Sequence, residues 1–237
     1  MTDLLAIKDL SYKRNMHTIL TDLSLTLPHN AIVGLLGANG AGKTTLMRLI
    51  AGSATEFHGE IRLNDETAAS IRKSMVSFSE QLAGLNPGMK LNQIADFYDR
   101  VYPDFVRADF DKLAQQLELD LQKRLNQLSK GNQRKFTIAI TFARHVQLYL
   151  LDEPFNGIDS MNRKKIIASI IQWKPEMATI LISDHHVTDI ANLLDQVIVV
   201  QHQTVVAQEK ADTIREKHNQ SIEDYYESFY EGENEHD

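Results

Sequence analysis

The sequence contains no cysteine, and this absence removes several classes of function at once. A disulfide scaffold, thiolate chemistry and a cysteine metal site are all excluded. No apolar run approaches the roughly 18 residues that a membrane-spanning helix requires, and the first residues lack the basic and then apolar pattern of a signal peptide. We therefore expect a cytoplasmic protein with one large α/β domain, for which 237 residues and a 43% hydrophobic fraction suffice.

An excess of positive charge is also absent, since the formal net charge is −7 at pH 7. A charge of this sign disfavours general nucleic-acid binding, so we expect no nucleic-acid partner. The negative charge is concentrated in residues 216–237, which contain eight acidic residues and one lysine. The last eleven residues, 227–237, are predicted to form a solvated tail, and a docking role for the aromatic residues near it is the less favoured alternative. These aromatic residues are Tyr225, Tyr226, Phe229 and Tyr230.

A glycine-rich loop stands between a predicted strand and a predicted helix. Residues 37–44 read Gly-Ala-Asn-Gly-Ala-Gly-Lys-Thr and fit the pattern G-x-x-x-x-G-K-[ST]. The apolar run 31–36 precedes the loop, and residues 45–51 follow with helical spacing. The backbone N–H groups of such a loop surround phosphate, the lysine contacts the β- and γ-phosphates, and Thr44 offers a hydroxyl to Mg²⁺. The predicted nucleotide contacts are Gly37, Ala38, Asn39, Gly40, Ala41, Gly42, Lys43, Thr44 and Thr45.

Two adjacent carboxylates follow a second apolar run. Residues 148–151 are Leu-Tyr-Leu-Leu, which predicts a central parallel strand that is buried on both faces. Charged groups at such a place are costly unless they have a partner. We expect Asp152 to serve Mg²⁺ directly or through water, and Glu153 to polarise the water that attacks the γ-phosphate. The alternative, two solvated acids at a strand end, is disfavoured by the upstream phosphate loop.

A third motif, Leu-Ser-Lys-Gly-Asn-Gln at 128–133, precedes a predicted amphipathic helix. Ser129 is a suitable helix N-cap, and Gly131 leaves backbone N–H groups open to a phosphate. Leu128 stands 24 residues before Asp152. In this order the three motifs resemble those of the ATP-binding subunits of ABC transporters, whose signature is similar to L-S-G-G-Q. The resemblance covers about residues 4–207.

The resemblance implies roles for further residues. His185, 33 residues after Asp152, corresponds to the switch histidine that contacts the γ-phosphate. Asp159 lies in the loop that crosses to the partner subunit, and family members place the backbone of Asn39 near the β-phosphate. The signature of one chain contacts the ATP that is bound by the other chain. The residues expected to do so are Ser129, Lys130, Gly131 and Asn132.

The signature and the glutamine loop depart from the family pattern. Lys130 replaces the first glycine of the signature, and Asn132 replaces its glutamine. In the glutamine loop, Glu80 takes the place of the glutamine and Gln81 follows it. Either side chain can offer an oxygen to Mg²⁺ or water, so both stay candidates, and Gln81 is retained as a candidate metal ligand.

The adenine contact is a further departure. The family places an aromatic ring eight residues before the position of Asp22, where this chain has Arg14. Tyr12 lies two residues earlier. A guanidinium group also stacks on flat rings, so both Arg14 and Tyr12 are candidates for the adenine contact.

The expected fold is α/β: a P-loop NTPase core of mixed or parallel sheet, an antiparallel edge sheet and an inserted helical lobe. Short apolar or alternating runs predict the edge sheet at 4–10, 18–27 and 60–63. The ATP-binding domain is expected to comprise residues 1–207, with the lobe at about 84–145. A C-terminal helix and acidic tail are expected at 208–237.

The resemblance implies an ATP-hydrolysing subunit, with ATP and Mg²⁺ as ligands, that powers transport through a separate transmembrane permease. Its form is most similar to bacterial exporter-type subunits. The expected partners are a second copy or a paralogous ATP-binding subunit, and the permease, at the inner face of the cell membrane. Two alternatives remain open. One is a soluble ABC-type ATPase acting on ribosomes or DNA, and the other is a regulatory module that holds ATP without useful turnover.

Overall fold

The structure is a computed structural model that describes residues 3–80, 82, 84–184 and 187–230. The strands in chain order are β1 (Leu5–Arg14), β2 (His17–Leu27), β3 (Ile32–Leu36), β4 (His58–Leu63), β5 (Val76–Phe78), β6 (Leu148–Asp152), β7 (Thr179–Ser183), β8 (Gln196–Gln201) and β9 (Thr204–Lys210). The helices are α1 (Lys43–Ile50), α2 (Ala69–Met75), α3 (Leu91–Val101), α4 (Arg107–Gln116), α5 (Lys130–Phe142), α6 (Ser160–Trp173), α7 (Ala211–Lys217) and α8 (Ile222–Glu227).

The strands form two sheets, which confirms the predicted fold class. A three-stranded antiparallel sheet has the order β2-β1-β4. The larger sheet has the order β5-β6-β7-β3-β8-β9, in which only the β8–β9 pair is antiparallel among the described strands. The carboxyl ends of β3, β5, β6 and β7 therefore meet at one edge, where a doubly wound sheet binds its ligand.

The large sheet is covered on both faces, and its side chains alternate between two cores. Leu148 and Leu150 of β6 pack with the antiparallel sheet and α1. Tyr149 and Leu151 face the opposite core, which includes residues of α5, α6, α7 and α8. Because both faces of the sheet are buried, the central strands consist of consecutive apolar residues and do not alternate between apolar and polar ones.

Helices α3, α4 and α5 form the helical lobe between β5 and β6. Aromatic rings fill its interior: Phe110 packs edge-on against Phe136, with 5.9 Å between ring centroids. Arg144 joins the lobe to the large sheet, because its guanidinium group binds both carboxylate oxygens of Asp104 and donates to the Val76 carbonyl at 2.9 Å. Within the described residues, no helix is long and apolar enough to cross a membrane.

Of the solvated tail predicted for 227–237, the structure describes residues 227–230, and Phe229 among them packs against the core. Ile222 is buried in the core, and Tyr225, Tyr226 and Phe229 pack against it. Hydrophobic burial outweighs the local negative charge here, because these aromatic side chains remove apolar surface from water against that core. Residues 231–237 lie outside the described residues.

Candidate functional site

The phosphate loop joins β3 to α1, and its glycines fit the backbone geometry. Gly42 has φ 101° and stands immediately before α1, where other residues would be strained. A Cβ on Gly37 would lie 2.5 Å from the Val200 carbonyl oxygen, so only glycine allows the loop to start against the end of β8. The loop is thereby held at the N-terminus of α1, which favours anions.

Lys43 is buried beneath the loop. Its Nζ donates to the carbonyl oxygens of Gly37 at 2.7 Å and Ala38 at 3.0 Å. Burial lowers the pKa of Lys43, and the carboxylates of Glu153, Asp152 and Asp184 act in the opposite direction. A bound phosphate would supply further negative charge next to this ammonium group and favour its charged form.

A hydrogen bond between Thr44 and Asp152 joins the first turn of α1 to the carboxyl end of β6. The Thr44 hydroxyl donates to Asp152 Oδ2 at 2.7 Å, and the Ser183 hydroxyl donates to Oδ1 at 2.6 Å. The Asp152 N–H donates to Ser79 Oγ at 2.9 Å. A hydroxyl and a carboxylate are suitable hard oxygen ligands for Mg²⁺.

The described residues contain no cluster of three or more metal-binding side chains. Mg²⁺ does not need such a cluster, because it commonly keeps several waters and shares its coordination with substrate phosphates. Thr44 and Asp152 therefore fit the metal that the sequence predicts for this place.

Glu153 directly follows Asp152 and lines the same cleft as the phosphate loop. Its φ of 45° is unusual for a residue with a side chain, and its N–H donates to the Ser183 carbonyl at 3.0 Å. The Asn156 amide donates to Glu153 Oε2 at 2.8 Å. The carboxylate is therefore held at the cleft and can accept a proton from a water.

The cleft has a volume of about 210 Å³ and includes one residue that the sequence analysis did not identify. This residue is Ile19 of β2, which precedes the buried Leu20. Strand alternation could have identified it, since an apolar residue on the outer face of a strand is a candidate contact surface. The complete lining is Ile19, Asn39, Gly40, Gly42, Lys43, Thr44, Thr45 and Glu153.

The two candidates for the adenine contact lie on the same hairpin as Ile19. Tyr12 is partly buried against the core that includes the side chains of α1, and Arg14 is exposed beside the turn. Neither residue lines the phosphate cleft, whereas Ile19 does. The adenine role of Tyr12 and Arg14 stays a prediction.

The glutamine-loop position is occupied by Glu80, whose carboxylate is bound by Arg48. Arg48 Nε donates to Glu80 Oε2 at 2.8 Å, and Nη2 donates to Oε1. The hydrogen bond to Glu80 raises the pKa of Arg48. Glu80 therefore has a positively charged partner on α1, and Gln81 lies outside the described residues.

The signature residues lie at the start of α5. Ser129 is its N-cap, because Oγ accepts a hydrogen bond from the Asn132 N–H at 3.3 Å. Lys130, Gly131 and Asn132 form the first turn of the helix. This turn lies beside the start of α6, since a Cβ on Gly131 would be 3.6 Å from Ile158.

Asp159 is the N-cap of α6. Its Oδ1 accepts from the Asn162 N–H at 2.9 Å, and the hydrogen bonds from Asn162 lower the pKa of Asp159. Neither Asp159 nor Ser129 lines the phosphate cleft of its own chain. The signature residue Lys130 lines a different cleft, together with Glu80 and Asn156.

The predicted switch histidine, His185, lies outside the described residues. The structure does describe the two residues before it. Ser183 bonds Asp152, and Asp184 is only 2% exposed and acts electrostatically on Lys43. The end of β7 is thus next to the phosphate loop.

The sequence profile of the ABC transporter family matches residues 20–156, more than half of the chain. The chain belongs to this family. It is an ABC ATP-binding subunit, and ATP hydrolysis is the general activity of such subunits.

Individual relatives agree with the family assignment. The rat protein "ATP-binding cassette sub-family A member 2" is 33% identical over 203 residues, covering 81% of this chain. The chain spans only 8% of the length of that relative. "ABC-type transporter ATP-binding protein EcsA" of Bacillus subtilis (strain 168) is 29% identical over 223 residues, covering 90% of each chain. A solved structure described as the ATP binding subunit of an ABC transporter has a similar fold, with TM-score 0.84, 24% identity, and coverage of 96% of this chain and 100% of that one.

Proposed function

We propose that the chain hydrolyses ATP, with Mg²⁺, to power transport of a substrate across a membrane through a separate transmembrane permease. The supporting observation is the separation of two half-sites on one chain. The phosphate cleft is lined by Lys43, Thr44 and Glu153, whereas the signature residue Lys130 lines a different cleft. A second chain is therefore needed to complete each ATP site, and it is either a second copy or a paralogous subunit.

In the proposed closed dimer, each ATP lies between Lys43 of one chain and the Ser129–Asn132 turn of the other. Charge-assisted contacts from both chains make ATP part of the interface, so ATP binding stabilises the dimer. Asp159 crosses to the partner subunit in this arrangement. Loss of the γ-phosphate removes contacts with both chains, and the dimer opens.

For hydrolysis, we assign to Glu153 the orientation and deprotonation of the attacking water, and to His185 a contact with the γ-phosphate. The support for Glu153 is its place in the lining of the phosphate cleft, beside Lys43 and Thr44. Thr44 and Asp152 would hold Mg²⁺, with Gln81 as a further candidate ligand. The metal supplies charge neutralisation on the β- and γ-phosphates when it is bound.

Transport coupling is proposed to act through the helical lobe. A cleft of about 470 Å³ lies where the lobe meets the core, and Tyr102 and Arg144 of the lobe region face Lys73 and Phe78 across it. Opening and closing of the dimer would move this cleft and a permease segment bound there. We place the subunit at the inner face of the cell membrane, and an exporter-type system is the proposed class.

The proposal is tested with Glu153→Gln, which keeps the side-chain volume and removes the carboxylate. We expect hydrolysis to fall at least about tenfold, and size-exclusion chromatography to show a dimer only with ATP. The matched control is Glu176→Gln at an exposed glutamate after α6, for which neither change is expected. Normal hydrolysis by a Glu153→Gln monomer in ATP would contradict the assigned role.

The transport role is tested by purifying tagged Glu153→Gln protein from gently solubilised membranes of its own host. We expect stoichiometric recovery of a multi-span membrane protein. Recovery of ribosomal or other soluble partners alone would contradict transport and favour a soluble ATPase.

A further inference from the structure

The last described residues of the chain contact the phosphate loop. The Ala38 N–H donates a hydrogen bond to the Tyr230 hydroxyl oxygen at 3.1 Å. One residue earlier, the Phe229 carbonyl accepts a hydrogen bond from the Gln201 side chain at 3.0 Å. Because Gln201 ends β8, this second contact fixes the backbone next to Tyr230 on the sheet edge that supports the loop.

The contact with Ala38 bears on the lysine that is expected to bind phosphate. The Ala38 carbonyl accepts from Lys43 Nζ at 3.0 Å, and the Gly37 carbonyl accepts from the same atom at 2.7 Å. The N–H of Ala38 is bound by Tyr230 while its carbonyl is bound by Lys43. Because Ala38 makes both contacts, a change at Tyr230 can shift the carbonyl group that binds Lys43 Nζ.

The hydroxyl of Tyr230 is itself held in place by α8. The ring of Tyr226 packs against the ring of Tyr230, with 5.2 Å between centroids, and the two side chains are hydrogen-bonded. Burial, and then this hydrogen bond, raises the pKa of Tyr226. A phenol oxygen has lone pairs that accept hydrogen bonds, so the Tyr230 oxygen is a suitable acceptor for the Ala38 N–H.

The other end of α8 contacts the segment that follows β7. The Thr188 hydroxyl donates to Glu223 Oε1 at 2.7 Å, and Ile222 is buried in the same core as Ile190. In addition, Arg215 of α7 donates to the Ala191 carbonyl at 2.8 Å. The helix α8 thus connects the segment after the predicted switch-histidine position with the phosphate loop.

We propose that Tyr230 is a positioning residue for ATP binding. Its hydroxyl oxygen accepts a hydrogen bond from the Ala38 N–H. This bond fixes the start of the phosphate loop, including the carbonyl groups that orient Lys43. A loop that is ordered in advance loses less conformational freedom when ATP binds, so the affinity is higher. The inference rests on the proposed use of this loop for ATP, and it adds Tyr230, which follows α8, to the residues that shape the nucleotide site.

The test is Tyr230→Phe, with Tyr225→Phe as the matched control. Both variants remove one hydroxyl from neighbouring turns, but Tyr225 packs its ring between His218 and Phe229. In ATP-free protein we expect the amides of the peptide containing Ala38 to exchange with deuterium about three- to tenfold faster in Tyr230→Phe. We also expect KM for ATP to rise about three- to tenfold, with kcat within about twofold of the unmodified chain. The control should change none of these values.

A second variant, Thr188→Val, removes the hydrogen bond to Glu223 at the far end of α8. We again expect faster deuterium exchange of the Ala38 peptide and a higher KM for ATP, and both changes should be smaller than in Tyr230→Phe. Unchanged exchange of the Ala38 peptide in Tyr230→Phe would overturn the inference, and so would faster exchange with an unchanged KM. Retained ATP binding by Lys43→Met would instead contradict the proposal that this loop binds ATP. The exchange measurement uses ATP-free protein, so it tests the role of Tyr230 independently of that proposal.

Discussion

Arg48 binds both carboxylate oxygens of Glu80, and this ion pair closes a ring of contacts that includes Thr44 and Asp152. Thr44, one turn before Arg48 on α1, bonds Asp152. The Asp152 N–H bonds Ser79, and Ser79 precedes Glu80 in the chain. The ring links the phosphate-loop helix α1 to the ends of β5 and β6. Glu80, at the glutamine-loop position, takes part in this ring through its ion pair with Arg48.

The first prediction is that Arg48 and Glu80 are energetically coupled and that Glu80 is not a metal ligand. Arg48→Met and Glu80→Gln should show a coupling of about 0.5–1.5 kcal/mol in a double-mutant cycle of unfolding by urea, a modest value because both side chains are one-third exposed. The Mg²⁺ concentration for half-maximal ATPase activity should stay within about twofold in Glu80→Gln.

The control for this cycle is the exposed pair Arg62 and Glu60 on β4. Its coupling should be smaller, since both side chains are about 40% exposed and lie outside the ring. A tenfold higher Mg²⁺ requirement in Glu80→Gln would contradict the prediction and make Glu80 a ligand.

The second prediction concerns Asp152. Asp152→Asn keeps the size of the side chain and one acceptor for Thr44 or Ser183, but it removes the negative charge. We expect the Mg²⁺ concentration for half-maximal activity to rise at least about tenfold, because Mg²⁺ prefers charged oxygen ligands. Titration of ATPase activity with Mg²⁺ measures this, and Asp212→Asn, in an exposed ion pair, is the control. Equal Mg²⁺ curves for both variants would exclude Asp152 as a metal ligand.

The sequence predicted most of the fold, because strand and helix periods are local properties. The run 31–36 and the loop at Gly42 became β3 and the start of α1, and the run 148–151 became most of β6. Contacts between distant side chains could not be predicted in the same way. Arg48 and Glu80 are separated by 32 residues, and Ala38 and Tyr230 by 192. Neither pair forms a periodic pattern, so only the packed chain brings them together.

The third prediction concerns Arg72 of α2, which is only 1% exposed. Its guanidinium group donates to the Thr67 carbonyl and lies 3.4 Å from the carbonyl oxygens of Leu49, Ile50 and Ile61. Leu49 and Ile50 are the last residues of α1, so these contacts connect α2 to the C-terminal end of that helix. Arg72→Met should therefore lower the free energy of unfolding by about 2–4 kcal/mol.

Urea unfolding followed by circular dichroism measures this loss. Arg62→Met on β4 is the control, because the Arg62 side chain is 43% exposed and its loss should lower the free energy of unfolding less than the loss of Arg72 does. Equal losses in the two variants would show that burial of the Arg72 guanidinium does not contribute to stability.

The last prediction separates stability from function at Lys43. Burial lowers the pKa of Lys43 from the ordinary 10.5, so the unfolded chain binds more protons at this residue between the lowered pKa and 10.5. Across that alkaline window its contribution to stability rises with pH. Lys43→Met should remove this part of the slope, change the free energy of unfolding at pH 7 by less than about 1 kcal/mol, and abolish ATP binding. Urea unfolding at several pH values and calorimetric titration with ATP check both parts. A destabilisation of several kcal/mol at pH 7 would instead show that the bonds to Gly37 and Ala38 outweigh the cost of burying the ammonium group.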